Sequence, residues 1–102
     1  MSQEAAYDFE WDAAKALANA RKHGVTFDQA ATVFLDALAL TVFDAEHSPH
    51  EDRWFTVAFD ADGVLSAVAH TFQAATPERI RVRLISARVA TKRERQFYED
   101  EP

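Results

Sequence analysis

The sequence predicts an α+β domain in which two N-terminal helices pack on an antiparallel β-sheet and a short helix closes the chain. Three observations carry this reading. Capped, helix-forming segments are confined to residues 12–35 and 91–99. Between them, from Leu38 to Ala87, strand-like runs rich in apolar residues are bounded by turn residues. Most connections between those runs are short, so consecutive strands are expected to pair antiparallel.

Each element has a local cause. Tyr7 to Glu10 alternates briefly and predicts a short edge strand. Asp12 stands at an N-cap position, followed by Ala13 to His23, which is rich in good helix formers. Gly24 after Lys22 and His23 is a helix stop: positive charge meets the negative helix end, then a residue tolerates αL. Thr26 caps a second helix, Phe27 to Leu35, with Phe27, Ala30, Ala31 and Phe34 as its apolar stripe. Leu38 to Phe43 then reads as a strand, and residues 44–52, polar and containing Pro49, as a loop. Arg53 to Phe59 and Val64 to Phe72 are strands joined by the turn Asp60-Ala-Asp-Gly63. Gln73 to Glu78, with Pro77, is expected to be a loop. Arg79 to Ala87 starts with the clearest alternation: Arg79, Arg81 and Arg83 on one side, Ile80, Val82 and Leu84 on the other. Thr91 caps the last helix, and Glu94 completes a capping box. The early helices cover one sheet face and leave the other partly open.

Composition narrows the function. A chain of 102 residues, 48% of them hydrophobic, suits one domain spanning 1–102, with residues 1–6 expected to form a flexible N-terminus. It contains no cysteine, which excludes disulfides, thiolate metal sites and cysteine nucleophiles. No apolar run is long enough to span a bilayer, and the N-terminus lacks a signal-peptide pattern, so a soluble, cytoplasmic protein is expected. The net charge of −6 taken alone argues against nucleic-acid binding. Its distribution argues otherwise. Seven of the eleven basic residues (Arg79, Arg81, Arg83, Arg88, Lys92, Arg93 and Arg95) fall between Arg79 and Arg95, against only Glu94. Local field, not average charge, decides contacts.

The alternating arginines form a row of planar donors about 7 Å apart, suited to phosphates or to acidic side chains. A plain solvated strand face gives the same alternation. His70, in an apolar strand with Val68 and Phe72 on its side, is either a satisfied core histidine or an acid–base group near the arginines. Glu51 and Arg53 are either a surface ion pair or a carboxylate base beside a cation. Tyr98 either packs its ring on the sheet or offers its hydroxyl to a phosphate. His47 and His50, among Asp44, Glu46, Glu51 and Asp52, match no trusted zinc spacing, and no metal or cofactor is expected. The chain also lacks a Gly-rich phosphate loop, a nucleophile elbow and a dinucleotide fingerprint.

Several segments in order resemble one family. Phe9-Glu-Trp-Asp12 with Lys15 and Asn19, then Arg21-Lys-His-Gly-Val-Thr-Phe27 and Ala30 to Phe34, is similar to the start of BrnT-type toxins. Asp44-Ala-Glu-His47-Ser with Glu51 and Arg53 is similar to their middle. Ile80 to Arg88, with Ala90, Arg93, Glu94, Arg95 and Tyr98, is similar to their end. The longer insertion at residues 73–78 departs from the pattern. The resemblance implies a RelE-like fold and a metal-independent ribonuclease that inhibits translation. It further implies a BrnA-type ribbon-helix-helix antitoxin as partner, with operator DNA contacted only through that antitoxin. On that basis Glu51, Arg53, His70, Arg83 and Arg88 are the catalytic candidates, and Arg81, Lys92 and Tyr98 the RNA-binding ones. The alternative is a non-catalytic module whose basic strip only holds an acidic antitoxin or other partner.

Overall fold

The computed structural model of the chain describes residues 6–100. The elements run β1 (Ala6–Glu10), α1 (Ala13–His23), α2 (Phe27–Ala31), a 3-10 turn (Thr32–Leu35), β2 (Leu40–Phe43), a second 3-10 turn (Ala45–His47), β3 (Trp54–Phe59), β4 (Leu65–His70), β5 (Gln73–Thr76), β6 (Arg79–Val89) and α3 (Lys92–Asp100). The fold is α+β, with six strands in one sheet. Most of the expected N-terminal arm, residues 1–5, lies outside the described residues; Ala6 already belongs to β1.

The capping chemistry acts as its residue types dictate. Asp12 accepts from the Lys15 amide at 2.9 Å, and Thr26 from the Gln29 amide at 3.1 Å. Gly24 ends α1 at φ 72°, a left-handed position open to a residue without Cβ. The second helix is shorter than its apolar stripe suggests. After one α-helical turn and a half it tightens at Thr32, whose hydroxyl donates back to the Gln29 carbonyl at 2.6 Å.

Three expectations are corrected. The sheet is mixed rather than antiparallel, because β1 pairs parallel with β6, Tyr7 against Ile80 and Phe9 against Val82. Residues 73–76 form a strand and not a loop. After His70 the chain stays beside β6 as β5, with Gln73 opposite Arg81, so residues 65–76 run along β6 as one bent ribbon. Finally, β2 starts at Leu40, because Asp36 holds the preceding turn by accepting from the Leu38 amide at 2.9 Å.

The strand order β1-β6-β4-β3-β2 places β6 second from the β1 edge, flanked over its first half by β1 and β5 and over its second by β4. A bulge interrupts the β4–β6 ladder, where His70 faces Leu84 but Ala69 faces Ser86. The extra residue, Ile85, changes the phase of β6. Val82, Leu84 and Ala87 therefore all face one core with Val25, Phe27, Ala30 and Val33 of the α1–α2 side. On the other sheet face, Val57, Leu65 and Ala67 form a smaller core with Phe55, Phe59 and Tyr98 of α3.

Two polar side chains hold the layers together. Asn19, nearly buried in α1, donates to the carbonyls of Ala87 (2.8 Å) and Val25 (3.0 Å) and accepts from the Ala87 amide (3.0 Å). It completes the β6 backbone just where β1 has ended. Asp36 accepts from the Phe59 amide at 3.0 Å and from the Tyr98 hydroxyl at 2.7 Å. Burial raises its pKa, but the hydrogen bonds from Tyr98, Phe59 and Leu38 outweigh that and hold the carboxyl below its ordinary range.

Asn19→Ala leaves the amide and carbonyl of Ala87 without their partner, which costs about 3 kcal/mol. The melting temperature is expected to fall by roughly 10 °C or more. Thermal unfolding followed by circular dichroism checks this, and an unchanged melting temperature would remove Asn19 from its structural role.

Candidate functional site

The loop after β2 is a stapled structure, although its composition reads only as polar. The Asp44 amide donates to the Arg53 carbonyl at 2.9 Å, which extends the β2–β3 pairing by one step. The Ser48 hydroxyl donates to the Asp44 carbonyl and accepts from the Arg53 amide at 2.9 Å. These bonds close the neck and return Glu51 and Arg53 to the mouth of β3. Glu51 Oε1 accepts from Arg83 Nη2 and lies 3.7 Å from Arg53 Nη2. One carboxylate thus sits between two guanidiniums. Side-chain exposures of 39% for Glu51, 41% for Arg83 and 37% for Arg53 leave all three reachable from solvent.

Glu51 borders two adjoining clefts. A polar one of about 290 Å³ is lined by Glu10, Glu51, Thr71, Gln73 and Arg83. A second, of about 350 Å³, is lined by Glu46, His47, His50, Glu51 and Arg53. Such an arrangement can bind an anion through the guanidiniums and present a carboxylate beside it as a proton acceptor.

The basic strip is less free than its sequence suggests. In register, Asp8 lies opposite Arg81 and Glu10 opposite Arg83. Asp8 takes a two-pronged bond from Arg79, and that bond lowers its pKa while raising that of Arg79. Arg88 donates from both terminal nitrogens to Glu94, at 2.7 and 2.9 Å, and stacks over Phe55 at 5.5 Å. Glu94 also accepts from the Thr91 amide at 2.8 Å, completing the expected capping box. The Arg88 bond holds Glu94 below the ordinary carboxylate range. Arg88 is therefore bound to the start of α3. Arg81 and Lys92, both exposed, form no side-chain ion pair among the described residues.

Arg83 and Arg88 are five residues apart, a spacing that in a regular strand puts side chains on opposite faces. The bulge at Ile85 restores both to the same face. They remain roughly 13 Å apart along the strand, too far to grip one phosphate together. Tyr98 packs edge-on against Phe59 at 5.5 Å and donates its hydroxyl to Asp36. Burial and the Asp36 carboxylate push that hydroxyl up to about 12.

His70 does not join Glu51 and Arg83. It is fully buried, 0% exposed, and its strand partner Leu84 belongs to the helix-side core, whereas Arg83 faces the other way. Its ring packs edge-on against Phe34 at 4.9 Å. Nδ1 donates to the Thr71 carbonyl at 2.8 Å, so Nε2 accepts from the Thr56 hydroxyl at 2.7 Å, which in turn accepts from Thr41 at 2.7 Å. Both ring nitrogens are occupied, and among the described residues no charged group is bonded to the ring. The satisfied core histidine is the reading that fits this environment.

Desolvation lowers the His70 pKa, against a smaller opposing effect of the Thr71 bond. The folded state thus holds the ring neutral where the unfolded chain would protonate it. His70 contributes stability above the unfolded value of 6.5, and this is lost as pH falls below it. Urea midpoints measured from pH 7.5 down to 5.5 are expected to fall for the wild type and to fall less for His70→Gln. Equal slopes would contradict the assignment.

One pairing had no place among the expected site residues. His47 Nδ1 lies 2.8 Å from Asp44 Oδ2, and the same Asp44 side chain accepts from the His47 amide at 3.3 Å. The signal was an aspartate three residues before a histidine, the spacing of a cap. Among the described residues, no cluster of three or more His, Cys, Asp or Glu is arranged to hold a metal ion. Among the described residues, no helix is long and apolar enough to cross a membrane.

No curated protein sequence matches the chain. A family model described as "Ribonuclease toxin, BrnT, of type II toxin-antitoxin system" matches residues 11–94, from the end of β1 to the first turn of α3. The match takes in α1, the stapled loop and all of β6, and the protein belongs to this family of ribonuclease toxins, whose type II systems imply an antitoxin protein as partner.

Proposed function

We propose that the chain is a single-domain, RelE-like endoribonuclease that cleaves RNA without a metal ion and so inhibits translation in the cytoplasm. Its proposed neutralising partner is a BrnA-type ribbon-helix-helix antitoxin, which alone contacts operator DNA in the hetero-oligomer. The observation that carries the catalytic reading is Glu51 held between Arg83 and Arg53 at the edge of an open cleft.

The chemistry follows from the functional groups. The RNA 2′-hydroxyl attacks the adjacent phosphorus, and Glu51 takes its proton. Arg83 and Arg53 stabilise the charge that grows on the phosphate oxygens. Both guanidiniums are bonded or close to Glu51 before RNA arrives, so a bound phosphate draws them away and releases the carboxylate to accept a proton. Arg81 and Lys92, without ion-pair partners among the described residues, hold flanking phosphates. Arg88 and Tyr98 support the site by fixing α3 through Glu94 and Asp36. His70 supports it from the opposite sheet face.

The acid-lined arginine row also suits a module that only binds an acidic partner, since Asp8, Glu51 and Glu94 show the strip accepting carboxylates. Protein freed of antitoxin and incubated with RNA in EDTA separates the two. Cleavage is expected, falling about 100-fold or more in Arg83→Ala and Glu51→Gln while both variants stay folded. Tight antitoxin binding without cleavage would support the module instead.

A further inference from the structure

The proposed reaction lacks one component. Breaking the P–O5′ bond leaves an alkoxide, which needs a proton. Glu51 accepts a hydrogen bond from Arg83 and, as a carboxylate, has no proton to give. Arginine does not deprotonate in proteins. Tyr98 donates to Asp36 with its hydroxyl pushed up to about 12. His70 is sealed on the opposite sheet face. Among the side chains lining the clefts, His47 and His50 are the remaining acid–base groups that are not carboxylates.

We propose that His47, oriented by Asp44, is the general acid that protonates the leaving 5′-oxygen, across the cleft it shares with Glu51 and Arg53. The inference rests on the ribonuclease reading. Three observations support it. His47 and Glu51 line the same cleft, His47 at the end of the 3-10 turn and Glu51 near the start of β3. The ring is held by Asp44: Nδ1 is bonded to its carboxylate at 2.8 Å, which leaves Nε2 as the nitrogen that exchanges a proton with a ligand. The loop itself is rigid at its neck, because Ser48 and the Asp44 amide tie it to Arg53. A histidine oriented by a carboxylate and backed by a fixed loop has the geometry that acid–base catalysis requires. With 62% of its side chain exposed, the ring is open to solvent and to whatever enters the cleft.

The charged and titratable groups around the ring are Asp44, Glu46, His50, Glu51 and Arg53. His50 lines the same cleft but has no hydrogen-bond partner among the described residues, so nothing orients it. Asp44 is a positioning residue and does not touch the substrate.

The proton balance closes. Glu51 takes the proton from the 2′-hydroxyl, the new P–O2′ bond forms, the P–O5′ bond breaks, and His47 Nε2 delivers its proton to O5′. The products are a 2′,3′-cyclic phosphate and a free 5′-hydroxyl.

The test uses His47→Asn, whose side-chain amide can keep the bond to Asp44 but holds no titratable nitrogen. Two substrates are compared: ordinary RNA, and the same RNA with sulfur in place of the bridging 5′-oxygen, which leaves as a thiolate without protonation. His47→Asn is expected to lose about 100-fold or more on ordinary RNA and to cleave the sulfur-substituted RNA close to the wild-type rate. Asp44→Asn should show a smaller loss with the same rescue, and His50→Asn none. A His47→Asn protein that cleaves ordinary RNA normally, or that is equally slow on both substrates, overturns the assignment. So does a loss that appears in His50→Asn. Wild-type protein that cleaves neither substrate overturns the ribonuclease reading itself, and the acid falls with it.

Discussion

The register of β6 is the constraint on which the molecule depends. The strand pairs with β1 in parallel and with β5 and β4 in antiparallel fashion, and a single extra residue at Ile85 shifts its phase midway. Without that bulge, a core containing Val82 and Leu84 could not also contain Ala87, and Arg88 would point into the helix side. With it, the arginines keep one face and the apolar residues the other. Asn19 fixes the far end by bonding both backbone groups of Ala87. The helix layer therefore sets the strand position, and the strand position sets the site.

The acidic body is the second half of the arrangement. Its carboxylates are placed so that Asp8, Glu51 and Glu94 meet arginines of the strip. These pairs differ in kind. The Glu51 pair is about two-fifths exposed, and such a pair is worth under about 1 kcal/mol, so a phosphate can displace it at little cost. The Arg88–Glu94 pair is bidentate and shares its carboxylate with the α3 cap, so disrupting it also unseats the helix. An exchangeable pair at the cleft and a fixed one beyond it divide the strip into a working part and a supporting part.

Local chemistry was legible in the sequence, and long-range pairing was not. The Asp12 and Thr26 caps, the Gly24 stop, the Asp60–Gly63 turn and the Thr91–Glu94 box follow from residue types within a few positions, and they appear where expected. That His70 shares a side with Val68 followed from period two. Which layer covers that side did not, because it depends on helical segments more than thirty residues earlier. The parallel pairing of β1 joins residues about seventy positions apart, and no local pattern announces it. β5 was hidden because Gln73 to Thr76 is exposed throughout and so shows no alternation of burial. The bulge was hidden because Ile85-Ser-Ala87 reads equally well in either phase. The meeting of Glu51 and Arg83 combines all of these, so a reading by spacing supplied the residues but not their convergence.

The central claim is that RNA lies along the arginine face, against Glu51 and the stapled loop. The most direct measurement is NMR titration of the isotope-labelled protein with an RNA oligonucleotide methylated at its 2′-oxygens, which binds but cannot be cleaved. The account predicts shifts concentrated in the guanidinium signals of Arg53, Arg81 and Arg83 and in the backbone of residues 44–53, with the His70 ring and Asn19 amide unmoved. Shifts centred on the opposite face, around Phe34, Trp54 and His70, would contradict it.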